Sequence, residues 1–98
     1  MTHEAFLRSE AREDLKAAAQ WYEQRHDGLG AEFIDEFLTF ITRIESDPQI
    51  FPVVEEPIRR GLVRRFPYAV YYSIEPDHLQ VLAVMHCSQH PDTWRSRA

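Results

Sequence analysis

Between residues 58 and 86 the chain carries three strand-like segments whose connections are too short for anything but antiparallel neighbours. They span residues 58–65, 68–74 and 79–86. Glu75-Pro76-Asp77-His78 joins the second to the third, with proline in the favoured second position of a turn. In the second strand Tyr68, Val70, Tyr72 and Ile74 define one face, and Ala69, Tyr71 and Ser73 the other. The third is apolar on both faces, which predicts a central strand covered on both sides. The first alternates poorly, because Arg60 and Arg64 share a face with Leu62. Gly61 is expected to mark a bulge there.

A meander of this kind needs cover, and the first half of the chain supplies it. Ser9 reads as an N-cap, with Glu10, Glu13 and Asp14 placing negative charge in the first turn of a helix over 10–25. Ala11, Leu15, Ala18 and Tyr22 form its apolar stripe. Trp21 falls off that stripe, as a flank of the core or a contact for a partner. Gly28 suits the left-handed position that ends a helix. A second helix over 31–46 carries Phe33, Ile34, Phe37, Leu38, Phe40, Ile41 and Ile44 across an arc of roughly 160°. An arc that wide predicts burial against two things, the first helix and the sheet. Phe37, Ile41 and Ile44 are expected to meet Leu82 and Val84 in the core. The short connection makes the helices an antiparallel hairpin.

Residues 4–8 read as a short first strand. Phe51-Pro52 and Glu56-Pro57 keep the segment after the helices extended but irregular. The tail, 87–98, is expected to be irregular or a single helical turn. The expected fold is α+β, a helical hairpin packed on a small, mostly antiparallel curved sheet in the order β-α-α-β-β-β. With 98 residues this is one domain over 1–98. No apolar run approaches the roughly 20 residues that span a bilayer, and no secretory signal opens the chain, so no membrane partner is expected. Cys87 is the only cysteine, which excludes an internal disulfide and suits a cytoplasmic protein.

Charge is segregated. Residues 1–57 hold five basic and thirteen acidic residues, net −8; residues 58–98 hold six basic and three acidic, net +3. Such a split fits a face presented to an anion or an acidic partner. Ten of the eleven basic residues are arginine and Lys16 is the sole lysine, a bias towards two-pronged ion pairing rather than a diffuse field.

One ordered set of residues carries a family resemblance. It comprises Ala18, Trp21-Tyr22-Glu23, Gly28-Leu29-Gly30, Phe33, Ile44, Pro48, Phe51-Pro52, Arg59-Arg60, Arg64-Arg65-Phe66-Pro67-Tyr68, Tyr71-Tyr72, Val81-Leu82-Ala83-Val84, His86, Pro91, Trp94 and Arg97. With these spacings, from about residue 8 onward, the chain resembles the RelE/ParE superfamily of toxins from type II toxin–antitoxin (plasmid stabilisation) systems. The resemblance implies the same hairpin-on-sheet fold and a growth-inhibiting toxin neutralised by a cognate antitoxin. That antitoxin would lay a helix and an extended segment over the toxin's groove. It implies one of two targets: DNA gyrase, as for ParE-like members, or mRNA on the ribosome, as for RelE-like endoribonucleases. A decayed, non-toxic member is the third reading. After the histidine matching His86, many members place one or two arginines, where this chain has Cys87-Ser88-Gln89-His90. That departure tilts the reading towards the ParE-like, gyrase-inhibiting branch.

RNA cleavage through the 2′-hydroxyl needs a base, an acid and cations around the phosphorane. His86 is the candidate acid or base, Arg60, Arg64 and Arg65 the candidate anion or target contacts, and Tyr68, Tyr71 or Tyr72 could orient a group or stack on a base; Tyr72 joins the arginines as a target-binding candidate. Each has a plainer role: a strand-end histidine capping backbone, solvated or ion-paired arginines, core tyrosines. The three arginines are not all expected to pair within the chain. Trp21 is the candidate partner contact, while Trp94 and Arg95 are expected to pack the tail onto the sheet. His86 and His90 are four apart, but Pro91 and the strand context oppose their alignment, so no metal is expected, and no cofactor is indicated.

Overall fold

The computed structural model describes residues 3–89 and 92–98. Its elements are β1 (Glu4–Leu7), α1 (Ser9–Arg25), α2 (Leu29–Ser46), β2 (Val53–Glu55), β3 (Ile58–Leu62), β4 (Tyr68–Ile74), β5 (His78–His86) and α3 (Asp92–Arg95). The strands form one sheet in the order β1-β5-β4-β3-β2, antiparallel except for the parallel pair of β1 and β5. This is the expected α+β layout with one strand added. β2 occupies part of the segment read as irregular, pairing Val53 with Arg59 across a register shift.

The helical hairpin covers one face of the sheet. Ala11, Ala18 and Tyr22 of α1 and Phe33, Phe37, Phe40 and Ile44 of α2 are buried with Val70, Tyr72, Leu79, Val81 and Val84. Ile34 and Ile41 are partly buried, whereas Leu38, at the far rim of the apolar arc, stays 54% exposed. The opposite face holds a smaller cluster of Ile58, Ala69, Tyr71, Leu82, Ala83, Met85 and Trp94. Trp94 of α3 stacks on Tyr71 with ring centroids 4.9 Å apart, so the tail's single helical turn covers the outer face as expected.

Several local expectations change. Helix α1 begins at Ser9 itself, with Arg8 as a cap residue whose side chain makes no capping bond; the Ser9 hydroxyl turns to Glu10. Gly28 does adopt the left-handed conformation, φ 88°, but it opens α2, while His26 closes α1. Glu23 caps the new helix, accepting the Gly28 amide at 2.9 Å and the Gly30 amide at 3.0 Å. Gly61 marks no bulge, since it pairs in register with Val70; an added Cβ would lie 2.7 Å from the rings of Phe40 and Phe51, which stack there. The bulge lies on β5, where Tyr71 pairs with Ala83 and Tyr72 with Val81. The skipped residue reverses the facing, so of the expected pair Leu82 joins the outer cluster and Val84 alone meets the helices, beside Leu79 and Val81. β5 is nonetheless interior, flanked by β1 and β4 and buried on both faces.

Candidate functional site

β1 covers the edge of β5 only as far as Val81. Leu7 pairs with Val81, and the Arg8 amide donates to the Val81 carbonyl at 3.0 Å. The chain then leaves for α1, and among the described residues the rest of β5 has no neighbouring strand on that side. Side chains stand in for it. The Asp14 carboxylate accepts the Val84 amide at 3.0 Å, the Gln89 carboxamide oxygen accepts the His86 amide at 2.8 Å, and Arg97 donates to the Leu82 carbonyl at 3.3 Å. Arg97 also grips Asp14 with both terminal nitrogens, at 2.6 and 3.2 Å, and that carboxylate holds the guanidinium pKa above its ordinary value. Arg8 in turn donates to the Arg97 carbonyl.

Above this capped edge lies an apolar cleft of about 740 Å³ between α1 and β5. Ala17, Ala18, Trp21 and Tyr22 form its helix wall; Tyr68, Val84 and His86 form its sheet wall. Trp21 is 48% exposed at the rim, with the Arg25 guanidinium 4.1 Å from its ring centroid. Both tyrosines remain neutral phenols. Burial and then the nearby Asp14 carboxylate raise the Tyr68 pKa; burial and then Tyr68 raise that of Tyr22.

His86 stands edge-on to Tyr68, centroids 5.3 Å apart. Its Nδ1 accepts the Ser88 amide at 3.0 Å, with the Ser88 hydroxyl 2.7 Å away. The Nδ1 lone pair is thus turned to the Ser88 backbone rather than to the cleft.

The other candidates lie elsewhere. Arg60 is on the outer face, where its Nε donates to the Tyr71 hydroxyl at 3.1 Å. Arg64 and Arg65 fall beyond the end of β3, against α2. Arg65 takes a left-handed backbone, φ 71°, and pairs with Glu32 at 2.8 Å and Glu36 at 3.6 Å; the Glu32 hydrogen bond is the main cause of its raised pKa. Arg60 and Arg64 form no ion pair among the described residues, so the three arginines do not all close onto their own chain. Tyr72 is no surface contact. It is fully buried, and its hydroxyl donates to the Pro48 carbonyl at 2.7 Å because its face of β4 meets the helices. His90 lies outside the described residues, and among those described no group of three or more potential ligands could hold a metal ion.

Trp21 and His86 both line the cleft, and Arg60, Arg64 and Arg65 do not, although the Arg60 guanidinium reaches the Cys87 Sγ, next to His86, at 3.9 Å. Sequence reasoning missed Asp14, Gln89 and Arg97 as the cleft's framework. Asp14 carried only the signal of a first-turn acid, and nothing local marks a partner 83 residues away.

Residues 6–91 match the family model described as ParE toxin of type II toxin-antitoxin system, parDE. Among solved structures, a chain of the chromosomal ParDE toxin–antitoxin system from P. aeruginosa superposes with a TM-score of 0.74, covering 87% of this chain and 96% of that one at 13% identity. At that identity the likeness speaks for the fold. No curated protein matches in sequence.

Proposed function

The chain belongs to the ParE toxin family of type II toxin–antitoxin systems, and from that membership we propose that it arrests growth as a ParE-like inhibitor of DNA gyrase in the cytoplasm. The family makes it a toxin with a cognate antitoxin as partner. In the proposed arrangement the antitoxin seats apolar side chains in the cleft beside Trp21.

One observation supports inhibition by binding over RNA cleavage: none of Arg60, Arg64 and Arg65 lines the cleft that His86 lines. His86 faces α1 across the cleft, Arg60 lies on the other face of the sheet, and Arg65 is held by two glutamates. A phosphorane needs its cations and its acid and base within hydrogen-bond reach of one phosphate. The His86 Nδ1 is also engaged by the Ser88 amide.

Expression of the chain alone tests the reading. Growth should slow, and co-expression of the antitoxin encoded by the neighbouring gene should restore it. Trp21→Ala should weaken that rescue, because tryptophan is enriched among the interface residues whose truncation costs roughly 2 kcal/mol or more. Translated transcripts should stay whole while the DNA-damage response rises and purified gyrase loses supercoiling activity. Codon-phased mRNA cuts that vanish in His86→Ala would establish the endoribonuclease instead, since loss of acid–base help lowers rate by roughly 100- to 10,000-fold. Unimpaired growth at high expression would mark a toxin that has lost its activity.

A further inference from the structure

The cleft between α1 and β5 is apolar in outline, yet three polar groups on its walls have no partner. Tyr22 and Tyr68 both line it, with ring centroids 6.0 Å apart, and neither hydroxyl makes a hydrogen bond among the described residues. No side-chain nitrogen or oxygen sealed from solvent lacks a partner among those residues, so both hydroxyls have an open side. Val84 supplies the third group. Its amide turns away from β4 to meet the Asp14 carboxylate, so its carbonyl points off the same edge of β5. β1 has ended by then, at Leu7, and Arg97 donates to the Leu82 carbonyl instead. The Val84 carbonyl, on the cleft wall, is left with no donor among the described residues.

Those three groups describe a guest. An aliphatic plug would dry all of them without pairing any, and a polar group dried without a partner opposes binding. Phenols can donate or accept, but a carbonyl only accepts, so the guest carries at least one N–H or O–H. Trp21, Tyr22, Tyr68 and His86 line the cleft with rings. Tyr68 meets both Tyr22 and His86 edge-on, an arrangement that a flat aromatic guest extends. Charge has no place there. Among the described residues Asp14 is the one carboxylate on the wall, and Arg97 already holds it with both terminal nitrogens. No lysine or arginine lines the cleft. At about 740 Å³ the space is of the size that small ligands occupy.

We infer that this cleft is a binding site for a small, neutral, flat aromatic molecule that carries an N–H or O–H donor on its edge. The donor meets the Val84 carbonyl, the two phenols pair with the guest's other polar atoms, and the surrounding rings pack on its body. The site belongs to the free toxin and depends on neither gyrase nor the antitoxin. The guest takes the space assigned above to the antitoxin's apolar side chains. The two would therefore exclude each other, a consequence that rests on that assignment.

Indole is the probe, and N-methylindole, which lacks the N–H, is its control. Titrated into the purified, isotope-labelled toxin, indole should shift the backbone amide resonances of Trp21, Val84 and His86. It should bind roughly tenfold or more tightly than N-methylindole, the difference expected for a bond to an acceptor that is otherwise unpaired. Benzoate, flat but anionic, should leave the cleft resonances in place. Ala17 is exposed on the helix wall, so Ala17→Phe puts a ring into the cleft rather than into the core. That variant should lose the indole shifts while keeping an otherwise native spectrum. The comparison of indole with N-methylindole uses the unaltered chain and holds even if Ala17→Phe fails to fold. Absent shifts at saturating indole, equal affinity for N-methylindole, or shifts confined to residues outside the cleft would each overturn the inference. Cleft resonances that move with toxin concentration alone would overturn it by giving the space to a second copy. A cleft that responds to the antitoxin from the neighbouring gene but to none of the small probes would overturn it as well.

Discussion

Tyr72 shows how one side chain changes meaning between sequence and structure. As one of three tyrosines in an arginine-rich stretch, it looked available to a ligand. Its parity with Val70 on β4 places it under the helices instead, with its hydroxyl tied to Pro48 in the loop that leaves α2. Tyr72→Phe should cost about 1 kcal/mol, the usual net value of one hydrogen bond, with the loss seen in urea titrations. The pH dependence follows from the same burial. Desolvation is the first cause of the raised pKa of Tyr22, Tyr68 and Tyr72. Unfolded phenols lose their protons near pH 10. The three groups' contribution to stability is therefore complete below about pH 10 and is lost as pH rises towards their folded values, because the unfolded chain ionises first. Denaturant midpoints should fall on the alkaline side, and less steeply in Tyr72→Phe; an equal fall in both proteins would remove Tyr72 from this account.

At the scale of elements, what was legible depended on whether a pattern left a mark. β4 matches its expected span because its alternation, its turn proline and its partners agree. The apolar stripe of α1 and most of the α2 arc held for the same reason: helical spacing is written in the sequence. The β5 bulge was not written there. A strand apolar on both faces looks the same in either register, so the slip that turns Leu82 outward leaves no compositional trace. The glycines show the same limit. Gly28 was readable from its left-handed tendency, whereas Gly30 is there for closeness. A Cβ at Gly30 would lie 2.6 Å from the Ala19 carbonyl oxygen and 3.0 Å from the Glu23 carboxylate that caps α2. Alanine normally gains about 1 kcal/mol over glycine inside a helix. Here the obstacle is backbone, which cannot swing aside, and overpacking of that kind costs roughly 1–3 kcal/mol. Gly30→Ala should lower the denaturation midpoint; a rise would mean that the two helices separate without penalty.

Across the whole molecule, the bond that sequence could least foretell joins its two ends. Asp14 sits near the start of the chain and Arg97 next to its end, and together they close the edge of β5 where β1 stops. Both side chains are largely shielded, 20% and 18% exposed, so the pair escapes much of the solvent screening that empties surface ion pairs of value. The two truncations should differ. Arg97→Ala frees the tail and leaves Asp14 still bonded to the Val84 amide. Asp14→Ala strands that amide and leaves the shielded guanidinium only its longer bond to the Leu82 carbonyl, and a partner left unsatisfied costs more than a bond cleanly removed, roughly 1–3 kcal/mol. Asp14→Ala should therefore be the more destabilising. A double-mutant cycle should return a coupling of roughly 0.5–3 kcal/mol, the range found for side chains in one hydrogen-bond network. Because Trp94 rides on the same tail, Arg97→Ala should also loosen the stacking on Tyr71 and raise tryptophan exposure in quenching measurements. Additive losses with unchanged quenching would show that the tail is held by Trp94 alone and that the cleft keeps its floor without the clasp.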